Sequence, residues 1–271
     1  MIRFASVCSG IGAPEYAWRN LGWHPVFMSE IEAFPRAVLE HHYPGVPLHG
    51  DFTTITEDDY GSVDLLVGGT PCQDYSGLGT RSGLNGERGS LALEFFRLAK
   101  RLKATWFVWK NVPNALKTNQ GNDFKEIVNE VARCGFWWAY RIIDARNFHL
   151  SDQPRPRLFM VGYRGEGNRA RDVLFKQCGV GWNKKKETST APVLTRNGAM
   201  ALDDTTPVIL EKSGNLRVAT PLEYERAMGF PDNYTEIPYR NGIARKTPRY
   251  EALGNSMAVP VMRWIGEQIS R

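Results

Sequence analysis

The sequence predicts an α/β protein: a Rossmann-like, doubly wound, mostly parallel sheet carrying a small irregular lobe. Three observations predict it. Short apolar runs alternate with amphipathic stretches through residues 1–163, the pattern of a chain crossing from strand to helix and back. Several of the runs, such as Asp64-Leu65-Leu66-Val67-Gly68-Gly69, are apolar on both faces, as strands buried under helices on each side must be. A glycine-containing turn, Cys8-Ser9-Gly10-Ile11-Gly12, follows the first run and opens a helical stretch, the place where open α/β sheets hold ligands.

In order along the chain, Phe4 to Val7 reads as the first strand and Pro14 to Leu21 as the helix after the turn. Pro25 to Ser29 is a second strand ending in Glu30, and Ala33 to His42 a second helix. The run at 64–69 is a buried strand, Leu91 to Leu102 a helix and Thr105 to Trp109 a strand. Asp123 to Cys134 is helical because Phe124, Ile127, Val128 and Val131 fall on one face. Tyr140 to Ile143 and Leu158 to Tyr163 complete the strands. From about Arg164 to Asn215 periodicity fails and Gly, Asn, Thr and Lys are frequent, which predicts an irregular lobe without a convincing helix. Helical spacing returns in Pro221 to Met228 and Val259 to Ile269. The expected organisation is a main domain over 1–163, a small second region over 164–216 and a segment over 217–271 that returns to the first domain.

Composition narrows the class. In 271 residues, 42% hydrophobic and 23% charged are ordinary globular values and exclude a disordered or fibrous chain. No stretch approaches the roughly 20 apolar residues of a membrane-spanning helix, and the first residues lack a signal-peptide layout. Cys8, Cys72, Cys134 and Cys178 are scattered without CxxC spacing, so neither a disulfide framework nor a metal site is expected, and a reducing, cytoplasmic compartment is. The net charge of +5 is weak evidence for a polyanion partner, but its distribution is informative. Residues 1–100 carry 7 basic and 12 acidic side chains, whereas residues 155–217 carry 12 and 6. The basic part reads either as a solvated face or as a phosphate-facing surface.

Chemistry concentrates at the strand ends. The turn lets a ligand approach the backbone at a helix start. Glu30, about 20 residues on, suits a ribose diol, and Asp51 sits at a third loop of the same edge, where a turn-capping role is equally open. Cys72, after Pro71 and before a stretch with five glycines between Gly77 and Gly89, is either a nucleophile at a strand mouth or a structural thiol.

The ordered set Cys8-Ser9-Gly10-Ile11-Gly12, Glu30, Gly50-Asp51, Gly69-Thr70-Pro71-Cys72-Gln73, Trp109-Lys110-Asn111-Val112, Gln153-Pro154-Arg155-Pro156-Arg157 and Gly254-Asn255-Ser256 resembles the DNA (cytosine-5) methyltransferase family. Thr220-Pro221, Glu223, Arg226 and Gly229-Phe230-Pro231 resemble its penultimate block. The resemblance implies the S-adenosylmethionine-dependent methyltransferase fold, a base flipped out of duplex DNA, and S-adenosylhomocysteine as product. By the family pattern Cys72 is the thiolate that adds to cytosine C6, with Gln153, Arg155, Arg157 and Asn111 around the base. The cofactor set is Cys8, Ser9, Gly10, Ile11, Gly12, Glu30, Ile31, Asp51, Phe52, Gly69, Pro71, Leu91, Asn255 and Ser256. Gln73, Ser76, Arg88, Lys184, Lys185, Lys186, Thr195 and Arg196 are the expected DNA contacts. Pro192-Val193-Leu194-Thr195-Arg196 resembles the recognition core, and so small a lobe implies a short target.

The chain departs from the family at one catalytic position. Where the family has Glu-Asn-Val, this sequence has Lys110-Asn111-Val112. An ammonium can donate to cytosine N3 but cannot accept from the exocyclic amino group. The reading is therefore a monomeric cytosine-5 methyltransferase acting on double-stranded DNA in a bacterial or phage-infected cell, with turnover impaired at Lys110, retained with Lys110 as the N3 proton donor, or redirected to altered chemistry. A tRNA-directed enzyme and a DNA-binding module without turnover are the alternatives.

Overall fold

The computed structural model describes residues 1–71, 90–148, 155–165, 167–175, 208–210 and 216–271. Among these, the strands of the main sheet are β1 (Arg3–Val7), β2 (His24–Ser29), β3 (Leu48–His49), β4 (Leu65–Gly68), β5 (Trp106–Asn111), β6 (Trp137–Asp144) and β7 (Pro156–Tyr163); outside it Val208–Leu210 pairs with Leu216–Val218 and Pro238–Tyr239 with Gly242–Ile243, each pair antiparallel. The helices are α1 (Ala13–Trp18), α2 (Ala33–His42), α3 (Glu57–Tyr60), α4 (Ser90–Arg101), α5 (Asn122–Arg133), α6 (Arg169–Phe175), α7 (Pro221–Met228), α8 (Lys246–Asn255) and α9 (Val259–Ile269). The seven strands form one sheet in the order β3-β2-β1-β4-β5-β7-β6. β1 to β5 pair in parallel, while β7 lies antiparallel to both β5 and β6. The expected doubly wound, mostly parallel sheet is present, and order reverses between β1 and β4.

Alternation along the central strands builds two cores. Leu65, Val67, Trp106 and Val108 face one way, into a core shared with Trp18, Tyr224, Leu253, Val259 and Ile265 from α1, α7, α8 and α9. Leu66, Phe107 and Trp109 face the other way, against Phe95 and Phe96 of α4 and Ile127 and Val131 of α5. All six residues of β5 are buried, since helices cover both faces. At α1–α9 contact, a Cβ on Gly266 would lie 2.4 Å from the Trp18 ring nitrogen, and that nitrogen donates to Met262 O at 2.6 Å.

Most of the expected elements lie within a residue or two of their predicted bounds, although α1 ends at Trp18, three residues short of Leu21. β3, α3 and α8 have no counterpart in the sequence reading, and three further elements differ. β5 runs on to Asn111, so Lys110 and Asn111 are strand residues rather than loop residues. β6 starts earlier, at Trp137, because as an edge strand it leaves Trp137 and Ile142 exposed and its apolar residues do not form one continuous run. The irregular stretch after Arg164 was expected to lack a helix, yet α6 forms there, burying Ala170, Val173 and Leu174 at helical spacing. Val208–Leu210 forms a short strand paired with Leu216–Val218, and residues 166, 176–207 and 211–215 lie outside the described residues.

Candidate active site

Parallel strands bring their carboxyl ends to one edge of the sheet, so the turns after β1, β2, β3, β4 and β5 share a rim, and antiparallel β7 adds its entry there. The first turn is strongly determined. Cys8 has φ 47° and Gly10 φ 57°, both left-handed, and Gly12 at φ 80° caps α1. A Cβ on Gly12 would lie 2.8 Å from the Tyr43 ring and 3.1 Å from Leu39, so glycine is needed for space as well as for conformation. Ser9 ties the turn to β2: its N–H donates to Ser29 O at 3.0 Å, and its Oγ accepts from Ser29 N at 3.1 Å. Burial, and then the Glu30 charge, push the Cys8 thiol far up, which makes it a poor nucleophile.

Glu30 locks onto the same turn. Its carboxylate accepts from Gly10 N at 2.8 Å, Ile31 N at 2.8 Å and Glu32 N at 3.0 Å. Burial raises its proton affinity above the ordinary carboxylate value, and the three N–H groups act against that rise. Beside it Ile31 is 69% exposed, an apolar side chain at the rim of a polar turn. Asp51 accepts from Thr53 N and Thr53 Oγ1, both at 2.9 Å, and so caps the 3₁₀ turn that buries Phe52. The turn-capping role left open for Asp51 is present, with its carboxylate still exposed to solvent.

Across the point where strand order reverses, Gly69 follows β4 and Thr70 is fixed by the Trp109 indole N–H at 2.9 Å. A Cβ on Gly69 would lie 3.1 Å from Met257 Cε and 3.3 Å from Lys110 Nζ. Strand alternation puts Lys110 on the Val108 face. There its ammonium, in a side chain only 9% exposed, donates to the carbonyl of Asn255 at 3.5 Å. Asn111 points the other way, is fully buried and uses its Oδ1 to accept from Val112 N at 2.8 Å, whereas its Nδ2 has no hydrogen-bond partner. Pro71, directly after Thr70, and Leu91, in the first turn of α4, are each half-buried.

Arg155 enters the rim at the start of β7. Its N–H donates to Asp144, and its guanidinium donates to Gly254 O at 2.7 Å and Ser256 O at 2.8 Å. A buried cation at the carboxyl end of α8 meets that helix's carbonyls and the negative end of its dipole. This clamps the Gly254–Ser256 corner to the sheet. Arg157 is half-buried and donates to Pro156 O.

One cleft lies at the strand-order reversal, lined by Cys8, Ser9, Gly10, Ala13, Pro14, Gly69, Lys110, Asn255, Ser256 and Met257. It unites seven of the expected residues, and it adds Ala13, Pro14 and Met257. The first two form the opening turn of α1, which the Gly10–Gly12 turn could have signalled, and Met257 directly follows the Gly254–Ser256 corner. Glu15, also missed, lies beneath the turn at 3% exposure and accepts from Ser6 Oγ at 2.5 Å. Glu30, Ile31 and Asp51 are not among the lining residues, although Glu30 is bonded to Gly10 in it. Cys72, Gln73, Ser76, Arg88, Gln153, Lys184, Lys185, Lys186, Thr195 and Arg196 lie outside the described residues.

The chain has extensive similarity to known proteins. A family model described as C-5 cytosine-specific DNA methylase matches residues 2–189 and 168–271. The type II methyltransferase M2.BsuMI of Bacillus subtilis (strain 168) is 27% identical over 303 residues, covering 100% of this chain and 76% of the relative. A protein of Escherichia phage P1 named DNA N-6-adenine-methyltransferase is also 27% identical, covering 99% of this chain but only 61% of its own length. Among solved structures, the Entamoeba histolytica methyltransferase EhMeth aligns with a TM-score of 0.77 at 17% identity, over 99% of this chain and 98% of that one, a likeness of fold.

Proposed function

The chain belongs to the C-5 cytosine-specific DNA methylase family, and on that premise we propose that it alkylates C5 of a flipped cytosine in duplex DNA, using Cys72 as nucleophile. The observation that carries the reading is the cleft at the strand-order reversal, which gathers the turn after β1, Gly69, Lys110 and the corner after α8.

The family uses S-adenosylmethionine, and the residues present fit it. Glu30 is a carboxylate fixed by three backbone N–H groups, Asp51 offers a second carboxylate at the next strand end, and Gly69 leaves room that a Cβ would close. Glu30 would hold the ribose, Asp51 the adenine amino group, and the turn at Cys8–Gly12 with Asn255 and Ser256 the remainder. When bound, that cofactor supplies an electrophilic methyl on sulfonium.

Cytosine C5 is a weak nucleophile, and thiolate addition at C6 converts the ring to an enamine that is a strong one. Cys72 would make that bond, and loss of the C5 proton would later expel it. Protonation at N3 helps the addition, and loss of well-placed acid assistance costs on the order of 10²–10⁴ in rate. Lys110 can donate to N3 but reverses the charge beside the amino group, so methyl transfer is slowed. Arg157 would face the base or its phosphate, whereas Arg155 works through the corner it clamps. Basic residues within 164–216, Lys184 to Lys186 and Arg196 among them, would contact the duplex, phosphates taking most of the lysines.

A duplex carrying 5-fluorocytosine tests the reading, because fluorine at C5 blocks the elimination that releases the enzyme. With cofactor, the chain should form a covalent adduct that maps to Cys72 and vanishes in Cys72→Ala. An adduct on tRNA but not on duplex DNA would move the substrate to RNA. Tight duplex binding with no adduct would make the chain a binding module.

A further inference from the structure

Lys110 places a buried cation in the cleft itself, not beyond it. Its ammonium approaches Gly69, which ends the β4 side of the cleft, and donates to the carbonyl of Asn255 on the opposite wall. Its charge is felt at Cys8, on the third wall. Of the cleft-lining residues it is the one that carries a full charge. A sulfonium is a permanent cation, so an ammonium lining the same cleft repels it, and the burial of Lys110 strengthens the repulsion. A carboxylate on the transferable carbon reverses the sign of that interaction, since it can lie against both cations at once.

We propose that the cleft selects a sulfonium nucleoside whose transferable group is carboxymethyl, and that Lys110 pairs its carboxylate, so that the chain transfers carboxymethyl to its base. The inference rests on the cytosine-alkylating reading of the cleft and names the co-substrate of that same site. The compact three-donor head of lysine suits a single carboxylate in a space bounded by Gly69 and Met257, where the planar fork of arginine is larger. The step balances as ordinary methyl transfer does. The enamine pair at C5 forms the bond to the CH2 carbon, and the sulfur–carbon bond breaks with its pair going to sulfur, leaving a neutral thioether. The C5 proton is then lost to solvent, and its electron pair rebuilds the ring double bond as the Cys72 thiolate leaves.

Calorimetric titration of the purified chain with carboxy-S-adenosylmethionine, S-adenosylmethionine and S-adenosylhomocysteine reads the selection without any turnover. The carboxymethyl sulfonium should bind about tenfold or more tighter than the methyl sulfonium. Lys110→Glu should reverse the order, and Lys110→Met should bring the two within about twofold; thermal melting reports whether each variant folds, and Lys110→Met suffices if the glutamate variant does not. Mass spectrometry of the treated duplex should show carboxymethylcytosine. If S-adenosylmethionine binds the unaltered chain as tightly as its carboxymethyl analogue, or if the preference survives Lys110→Met, the carboxylate pairing is wrong and the family reading stands. If neither sulfonium nor the thioether binds, the cleft is not a cofactor site and both readings fall.

Discussion

Glu15 lies under the glycine turn with its carboxyl buried, one oxygen accepting from Ser6 and the other without a hydrogen-bond partner. Burial raises its pKa from the ordinary 4.5 to about 7, against the opposing pull of the Ser6 hydroxyl. A raised carboxyl pKa in the fold means that the unfolded chain ionises first. The contribution of this group is therefore intact below about pH 4.5 and declines as pH rises to about 7, by about 3 kcal/mol at full ionisation. Glu15→Gln should flatten the change in unfolding free energy between pH 5 and pH 8, measured by denaturant titration; an unchanged slope would show that Glu15 titrates normally. Nothing in the sequence marked this residue, since a glutamate in a first helical turn is ordinarily solvated and only the packing of α1 beneath the sheet buries it. Arg155 was singled out in the sequence for a place beside the base, but in the fold its partners are carbonyls of Gly254 and Ser256, which sequence spacing could not connect across about 100 positions.

At the scale of elements, the turn between β1 and α1 is the part most tightly specified. Gly12 combines a left-handed φ with a Cβ position already occupied by Tyr43 and Leu39. Gly12→Ala should cost about 1–3 kcal/mol, seen as a lower thermal midpoint, and should weaken cofactor binding by displacing the turn. Equal stability and affinity would mean that the turn tolerates a side chain. This turn was readable because glycine between a strand and a helix has few other uses. α6 was not, because Arg169–Phe175 is one or two turns long and shows its apolar spacing only at Ala170, Val173 and Leu174. The extent of β5 was also unreadable: Lys110 and Asn111 are polar, and their strand conformation comes from pairing with Phe159 and Leu158 of β7.

At the scale of the molecule, the fold was legible because parallel sheets need both-face-apolar strands, and the rim was legible because the motifs after β1, β2, β3 and β4 lie at strands' carboxyl ends. The co-location of Lys110 with Gly69, Asn255 and Met257 was not, since it depends on strand order and on which face β5 turns inward. The charge asymmetry is of the sign the proposed cofactor and DNA contacts require. The acidic first hundred residues carry Glu30 and Asp51, and the basic excess lies over 101–217. Base-resolved methyl transfer to a mixed-sequence duplex, run with the unaltered chain and with Lys110→Glu, tests the central claim most directly. The account predicts C5 methylation of cytosine within a short recurring sequence, faster in Lys110→Glu by about 10²–10⁴-fold. Absence of C5-methylated cytosine from both reactions, with each protein folded and binding the duplex, would contradict it.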